Sequence, residues 1–295
     1  MPTIVWLGES DCHRRELVGG KAANLSCLAA AYPVPPGFCL TVAASRARQV
    51  ASLADDLRDA VSAAYQTLAT RCKTTNPSVA VRSSAIDEDG TASSFAGQYE
   101  SFLNVVGVEA VFQAIDQCRA SAQSERIRAY RQQQGLSDSM PLAVLVQQLV
   151  SADVSAVVFS ANPVTQDTGQ VVISASWGLG ESIVGGTVTP DTYIASKSSL
   201  RLTSSEITDK QCMTVRSDAG TQEVNVPRFL RTRPALNEEQ VLEMAKLALN
   251  LEQEMGWPVD VECAYQADRL FLLQCRPITC PGRKCTSVLK THRSG

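Results

Sequence analysis

The sequence contains no apolar run of membrane-spanning length, and its first residues, Met1-Pro2-Thr3-Ile4-Val5-Trp6, carry no basic start of a secretory leader. A membrane role is therefore not expected. A strong excess of charge of one sign is also missing. A net charge of −3 gives no general attraction to nucleic acid, so any affinity for an anion has to come from a local cation cluster. Paired Cys-x-x-Cys spacing is absent, and the ten scattered cysteines read as reduced, mostly buried thiols of a cytosolic protein. Cys280 and Cys285 lie closest together, but only His292 stands near as a further zinc ligand, so a zinc site is not expected there. There is no Walker loop either. Leu17-Val18-Gly19-Gly20-Lys21 has Arg15 at the first glycine position and Ala22 where Ser or Thr belongs. What remains is 295 residues with 44% hydrophobic composition, ample for one large two-lobed domain or two small ones.

The most informative stretch runs from Ala80 to Val105. A short apolar strand delivers Arg82, Ser83 and Ser84. An acidic turn follows, then a loop of small hydroxyl residues ending in Ala96-Gly97-Gln98, then a second short strand from Phe102 to Val105. Small residues let backbone approach a ligand closely, turn N–H groups make anion-binding concavities, and arginine offers phosphate a planar fork. A solvated Ser-rich hairpin would look similar. Upstream, Gly19-Gly20-Lys21 precedes a helix expected from Ala22 to Ala31. A lysine at a helix start is electrostatically misplaced unless an anion sits there. Pro33-Val34-Pro35-Pro36-Gly37 then breaks the helix and starts an extended segment.

Helical spacing continues over Ala51 to Cys72 and Val108 to Gln134, and the first of these carries a core stripe of Leu53, Leu57, Val61, Tyr65 and Leu68. Strands are expected at Leu142–Val150, Val154–Ala161 and Val171–Ser176. Gln147 and Gln148 should point to opposite faces, so that only one lines a pocket. Gly178-Leu179-Gly180-Glu181 is a tight turn with one carboxylate. Residues 194–233 are polar and weakly patterned, and read as short strands and loops of a divergent surface. Asn237 with Gln240 marks a capping box, and Gly256 stops the helix it begins. In Val259-Asp260-Val261-Glu262 and Leu270 to Arg276, strict alternation puts Asp260 with Glu262 and Gln274 with Arg276. A three-residue loop, Ala267-Asp268-Arg269, would set Glu262 opposite Gln274 and Asp260 opposite Arg276. Facing carboxylates, an amide and an arginine suit Mg²⁺ and phosphate, although an exposed cross-strand salt bridge has the same letters.

Several of these motifs resemble the nucleotide-binding domain of the pyruvate phosphate dikinase and phosphoenolpyruvate synthase family, to which rifampin phosphotransferase also belongs. They are Gly19-Gly20-Lys21-x-x-Asn24-Leu25, Val34-Pro35-Pro36-Gly37-Phe38, Val81-Arg82-Ser83-Ser84-Ala85, Ser94-Phe95-Ala96-Gly97-Gln98, Trp177-Gly178-Leu179-Gly180-Glu181 and Gln274-Cys275-Arg276-Pro277-Ile278-Thr279. The resemblance covers residues 10 to 280, except that Cys263-Ala264 stands where the family usually has an aromatic. It implies an α+β, ATP-grasp fold: two lobes of mixed or antiparallel sheet with packed helices and the nucleotide in the cleft between them. Residues 1–280 would form that domain and 281–295 a basic tail. The resemblance further implies ATP and Mg²⁺ as ligands. Lys21, Arg82 and Arg276 would act catalytically on the phosphates, with Gly97 and Ser101 in the hairpin over the triphosphate. Gln147 would lie beside the adenine, Glu181 on ribose or base, and Glu262 and Gln274 at the metal.

In longer members of that family a histidine in Gly-Gly-x-x-Ser/Thr-His carries the phosphate onward. Neither His13 nor His292 stands in such a motif, and a partner-substrate domain is not expected within this chain. The expected function is therefore an Mg-ATP-dependent phosphotransferase acting on a small molecule or on a histidine of a separate protein, with no nucleic-acid or membrane partner. A ligase that activates a carboxylate as an acyl phosphate, and an ATP-binding subunit without turnover, are the alternatives.

Overall fold

The structure, a computed structural model, describes residues 2–47, 54–86, 100–125 and 142–278. Its first part runs β1 (Ile4–Trp6), α1 (Arg15–Leu28), β2 (Gly37–Leu40), α2 (Val42–Ala47), α3 (Ala54–Arg71), β3 (Val79–Ala85), β4 (Ser101–Val105), α4 (Val108–Ser121) and β5 (Leu142–Gln148). These strands form one antiparallel sheet in the order β1-β2-β5-β3-β4. The second part runs β6 (Val154–Phe159), β7 (Gln170–Trp177), α5 (Glu181–Val184), β8 (Asp191–Ser196), β9 (Arg201–Glu206), β10 (Cys212–Arg216), β11 (Thr221–Asn225), α6 (Arg228–Arg231), α7 (Glu238–Met255), β12 (Val259–Gln266) and β13 (Arg269–Pro277). Six of its strands pair antiparallel in the order β13-β12-β6-β7-β8-β9, and β10-β11 is a separate hairpin.

Alternation along β5 explains the layering. Val144 and Val146 point one way, into a core with Leu57, Val61, Tyr65 and Leu68 of α3 and Val111 and Ile115 of α4. Ala143 and Leu145 point the other way, into a second core with α1 and the six-stranded sheet. On that sheet, Val158, Ile173, Ala175 and Val261 pack against Val241, Met244, Ala245, Ala248 and Leu251 of α7. The opposite face is free to carry Asp260 and Glu262. The α7 stripe matches its sequence, and Asn237 and Gln240 close the expected capping box.

Helix α1 departs from expectation. Helical residues begin at Arg15, break at Gly19 (φ 76°, ψ 174°) and end at Leu28. The break has a steric cause: a Cβ on Gly19 would lie 2.1 Å from the Ser84 carbonyl oxygen of β3. Ser84 Oγ accepts the Ala22 N–H at 3.1 Å, so a serine from another element caps the segment that restarts after the kink. The helix stops short of Ala31 because Leu28 O takes the N–H groups of Ala31 and Tyr32 just ahead of Pro33. Helix α4 is shorter than expected as well. It closes at Ser121, whose hydroxyl bonds the Cys118 carbonyl at 2.9 Å. The remainder of that stretch from 126 lies outside the described residues, as do Leu53, Gly97 and the tail at 281–295.

Gly19→Ala should cost about 3 kcal/mol or more in chemical denaturation, because it adds both a clash and a strained φ. Gly186→Ala, at φ 68° with no atom of the described residues within 4 Å, should cost only about 1 kcal/mol. Equal losses would remove the close approach to Ser84 as the reason for glycine at position 19.

Candidate functional site

A cleft of about 390 Å³ opens between the two sheets. Ala80, Arg82, Ser101 and Leu103 line it from β3 and β4, and Ser155, Glu262 and Leu273 from the larger sheet. The segment Gln148–Ala152, which joins β5 to β6, forms its back, and Leu179, Gly180, Glu181 and Val184 one flank. Most of these walls are apolar, with a few polar groups at fixed places, as small-molecule sites usually are.

Arg82 spans the head of the cleft. Its Nη2 donates to Glu262 Oε2 and to Gln274 Oε1, both at 3.0 Å, and its Nη1 to the Leu273 carbonyl at 3.4 Å. Lys21 is buried on the α1 side and donates from Nζ to the Ser83 carbonyl at 3.3 Å, next in sequence to Arg82. Lys21 does not line the cleft, but it acts on Glu262. Burial alone would raise the Glu262 carboxyl. The cations Arg82, Arg276 and Lys21 outweigh it and hold the carboxyl below the usual glutamate range. Arg276 pairs with Asp260 on the same sheet face, Nη2 to Oδ2 at 2.7 Å. Burial pushes Asp260 up, Arg276 opposes that, and Glu262 adds to it. Asp260 Oδ1 and Arg82 Nε are buried without a hydrogen-bond partner among the described residues.

Strand pairing sets Glu262 opposite Gln274 and Asp260 opposite Arg276, as the sequence suggested, though by a different route. The β12-β13 turn has two residues, because Gln266 pairs with Arg269. The expected register at the site is recovered by a bulge. Glu262 pairs with Gln274 and Cys263 with Leu272, which leaves Leu273 as an extra residue. That insertion also reverses the alternation. Leu270, Leu272 and Cys275 are all in the core, while Gln274 and Arg276 come to the cleft side. In a regular strand Gln274 would share the face of Leu272.

The remaining expected positions fall as follows. Ser101 is exposed on the cleft wall. Gln147 lines the cleft and donates from Nε2 to the Pro35 carbonyl at 3.1 Å. Gln148 lines it as well, against the expectation that only one of the pair would, because β5 ends at Gln148 and alternation stops holding there. Glu181 begins α5 and accepts from Thr221 Oγ1 at 2.8 Å, so it is a held carboxylate facing the cleft.

The short strands expected over 194–233 include the β10-β11 hairpin, but its hold on Glu181 was not legible in the sequence. Asn104 of β4, at φ 55°, reaches the hairpin's turn, and Arg216 reaches back to Asn104 and to Ser151. The only available signal was an asparagine inside an apolar strand, where β-propensity disfavours it. The region also hides a fully buried ion pair, Lys210 Nζ to Asp191 Oδ1 at 2.6 Å.

Residues 46–294 match the pyruvate phosphate dikinase AMP/ATP-binding domain. The chain belongs to that family. The two-sheet arrangement is accordingly its ATP-grasp-like nucleotide-binding fold. Similar relatives include a probable phosphoenolpyruvate synthase of Methanocaldococcus jannaschii, 36% identical over 95% of this chain and 27% of the relative. An uncharacterized phosphotransferase, YvkC, of Bacillus subtilis is 36% identical over 90% of this chain and 34% of its own length. The prodigiosin synthesizing transferase PigC of Serratia marcescens is 36% identical over 89% and 31% respectively. The chain thus spans about a quarter to a third of these three proteins. Among the described residues no helix is long and apolar enough to cross a membrane, and the cysteines are free thiols.

Because Glu262 is depressed in the folded state, its contribution to stability is present above its unfolded pKa and fades as pH falls through the folded value. Arg82→Met should remove the nearest cation and move the Glu262 titration upward, read by carboxyl carbon NMR. An unmoved titration would show that Arg82 does not set the charge of Glu262.

Proposed function

We propose that the chain binds Mg²⁺-ATP in this cleft and transfers a phosphoryl group from it. The observation that carries the reading is Arg82, which meets Glu262 and Gln274 at the head of an apolar cleft in a member of an AMP/ATP-binding family. Glu262, Gln274 and Asp260 offer oxygen donors, one of them a buried carboxylate oxygen without a partner among the described residues, which suits a hard cation. No group of three or more His, Cys, Asp or Glu able to hold a metal occurs among the described residues. Glu262 and Gln274 would hold the cation, and bound Mg²⁺ would neutralise phosphate charge.

The protein's own groups do the rest. Lys21 and Arg82 bring positive charge from the smaller sheet and α1, and Arg276 from the larger sheet. Phosphoryl transfer asks for positioning and charge stabilisation more than for covalent chemistry, and these side chains supply both. Leu103, Leu149, Val150 and Leu179 give a flat base an apolar seat, with Gln147 and the carboxylate of Glu181 as the polar groups nearest a nucleoside. His13 does not line the cleft, and the acceptor in this reading is a small molecule or a histidine of a separate protein.

Incubation of the chain with ATP, Mg²⁺ and candidate acceptors should consume ATP, and the nucleotide product identifies the acceptor class. AMP with phosphate indicates a protein histidine, and ADP indicates direct transfer from the terminal phosphate. ADP and phosphate released with a new amide would establish a ligase instead, and binding without turnover would establish a nucleotide-holding subunit. Arg82→Ala and Glu262→Gln should each lower turnover by about 100-fold or more. Wild-type rates in folded variants would remove them from the site.

A further inference from the structure

We propose that Asn104 is a positioning residue for the nucleotide site, acting through the β10-β11 hairpin on Glu181; the proposal rests on the nucleotide reading of the cleft. Asn104 is 4% exposed and holds φ 55°, a conformation that asparagine tolerates better than most residues. It sits in a bulge of β4. Val81 pairs with Phe102 and Val79 with Val105, so that Leu103 and Asn104 together face Ala80. The bulge leaves Phe102 and Val105 packed against the smaller core, although they are three positions apart, and turns Leu103 into the cleft.

All of the amide's hydrogen-bonding capacity is used. Nδ2 donates to the carbonyls of Ser217 and Gly220, both at 2.7 Å. Oδ1 accepts from Ser78 Oγ at 2.7 Å and from Arg216 Nε at 3.0 Å. Arg216 also donates to Ser151 Oγ at 2.7 Å, on the segment at the back of the cleft. One amide thus fastens the smaller sheet to both ends of the hairpin turn. The residue after Gly220 is Thr221, whose hydroxyl holds Glu181. The route from Asn104 to a cleft carboxylate is therefore Gly220, Thr221, Glu181, with a hydrogen bond at each end and one peptide link between.

Nothing in the chemistry of the cleft requires Asn104 to touch a ligand, so it should alter affinity without altering the transfer step. Glycine at this position accepts the positive φ and removes the side chain that makes the four hydrogen bonds. ATP affinity in the presence of Mg²⁺ should be measured by calorimetry for the wild type, Asn104→Gly, Thr221→Val and the double variant, alongside melting temperatures and the split between KM and kcat. Each single change should weaken ATP binding about fivefold, the worth of a typical hydrogen bond, raise KM and spare kcat. The double variant should be no weaker than the weaker single one, since both cut one route.

Hydrogen exchange of the Leu179–Val184 amides without nucleotide supplies a separate reading. It should be faster in Asn104→Gly than in the wild type. Wild-type ATP affinity in folded Asn104→Gly, or additive effects, would overturn the proposal and reduce Asn104 to a structural tie. A wild-type chain that does not bind ATP would refute the nucleotide reading of the cleft. In that event the exchange result alone decides whether Asn104 positions Glu181, and unchanged exchange overturns it.

Discussion

The guanidinium of Arg82 is the contact through which the two sheets of this protein share one site. It leaves a strand of the smaller sheet and ends on a carboxylate, an amide oxygen and a backbone carbonyl of the larger one. Its side chain is 15% exposed and that of Glu262 17%, so both charges have lost most of their water and each depends on the other for compensation. The same geometry gives the cleft a built-in competition. On the proposed reading, the oxygens that Arg82 occupies are the ones a magnesium ion would take. Entry of a metal-bound triphosphate would then hand Glu262 and Gln274 to the cation and free the arginine fork for phosphate. Lys21 and Arg276, which also favour the charged form of Glu262, would stay beside it.

Everything that aims Arg82 follows from close packing behind it. Arg82 and Ser84 share a face of their strand. Ser84 caps the restarted helix at Ala22, and Gly19 permits the approach. Asn24, lower on the same helix, donates to the Cys275 carbonyl of the larger sheet at 3.4 Å. Helix α1 is thus tied to both sheets. On each side of the cleft a bulge then adds one residue, Leu103 on β4 and Leu273 on β13, and both of these residues line it. A bulge bends a strand and reverses its alternation, which is how an otherwise apolar strand presents polar groups to a ligand on one face and leucines to the core on the other.

The sequence was informative where its pattern coincides with local physics. The α7 cap and stripe, the strands through β5 to β7, and the pairing of Asp260 with Arg276 and Glu262 with Gln274 were all readable from period and spacing. The register at the site was reached with the wrong loop length, since neither the two-residue turn nor the Leu273 bulge leaves a mark in composition. Gly19-Gly20-Lys21 was readable as special but not as a kink inside a helix, because its cause, Ser84, lies 65 positions away. Residues 194–233 looked featureless for a related reason. Lys210 is fully buried against Asp191, and Arg216 is clasped to Asn104, but within that stretch Lys210 and Arg216 are ordinary polar letters. Non-local polar contacts of this kind carry no periodicity.

The most direct measurement is a crystal structure of the chain with a non-hydrolysable ATP analogue and Mg²⁺. The account predicts the analogue's phosphates against Arg82 with Lys21 behind, the cation between Glu262 and Gln274, and the Arg82–Glu262 ion pair opened. An analogue bound elsewhere, or an empty cleft with that ion pair intact at saturating nucleotide, would contradict it.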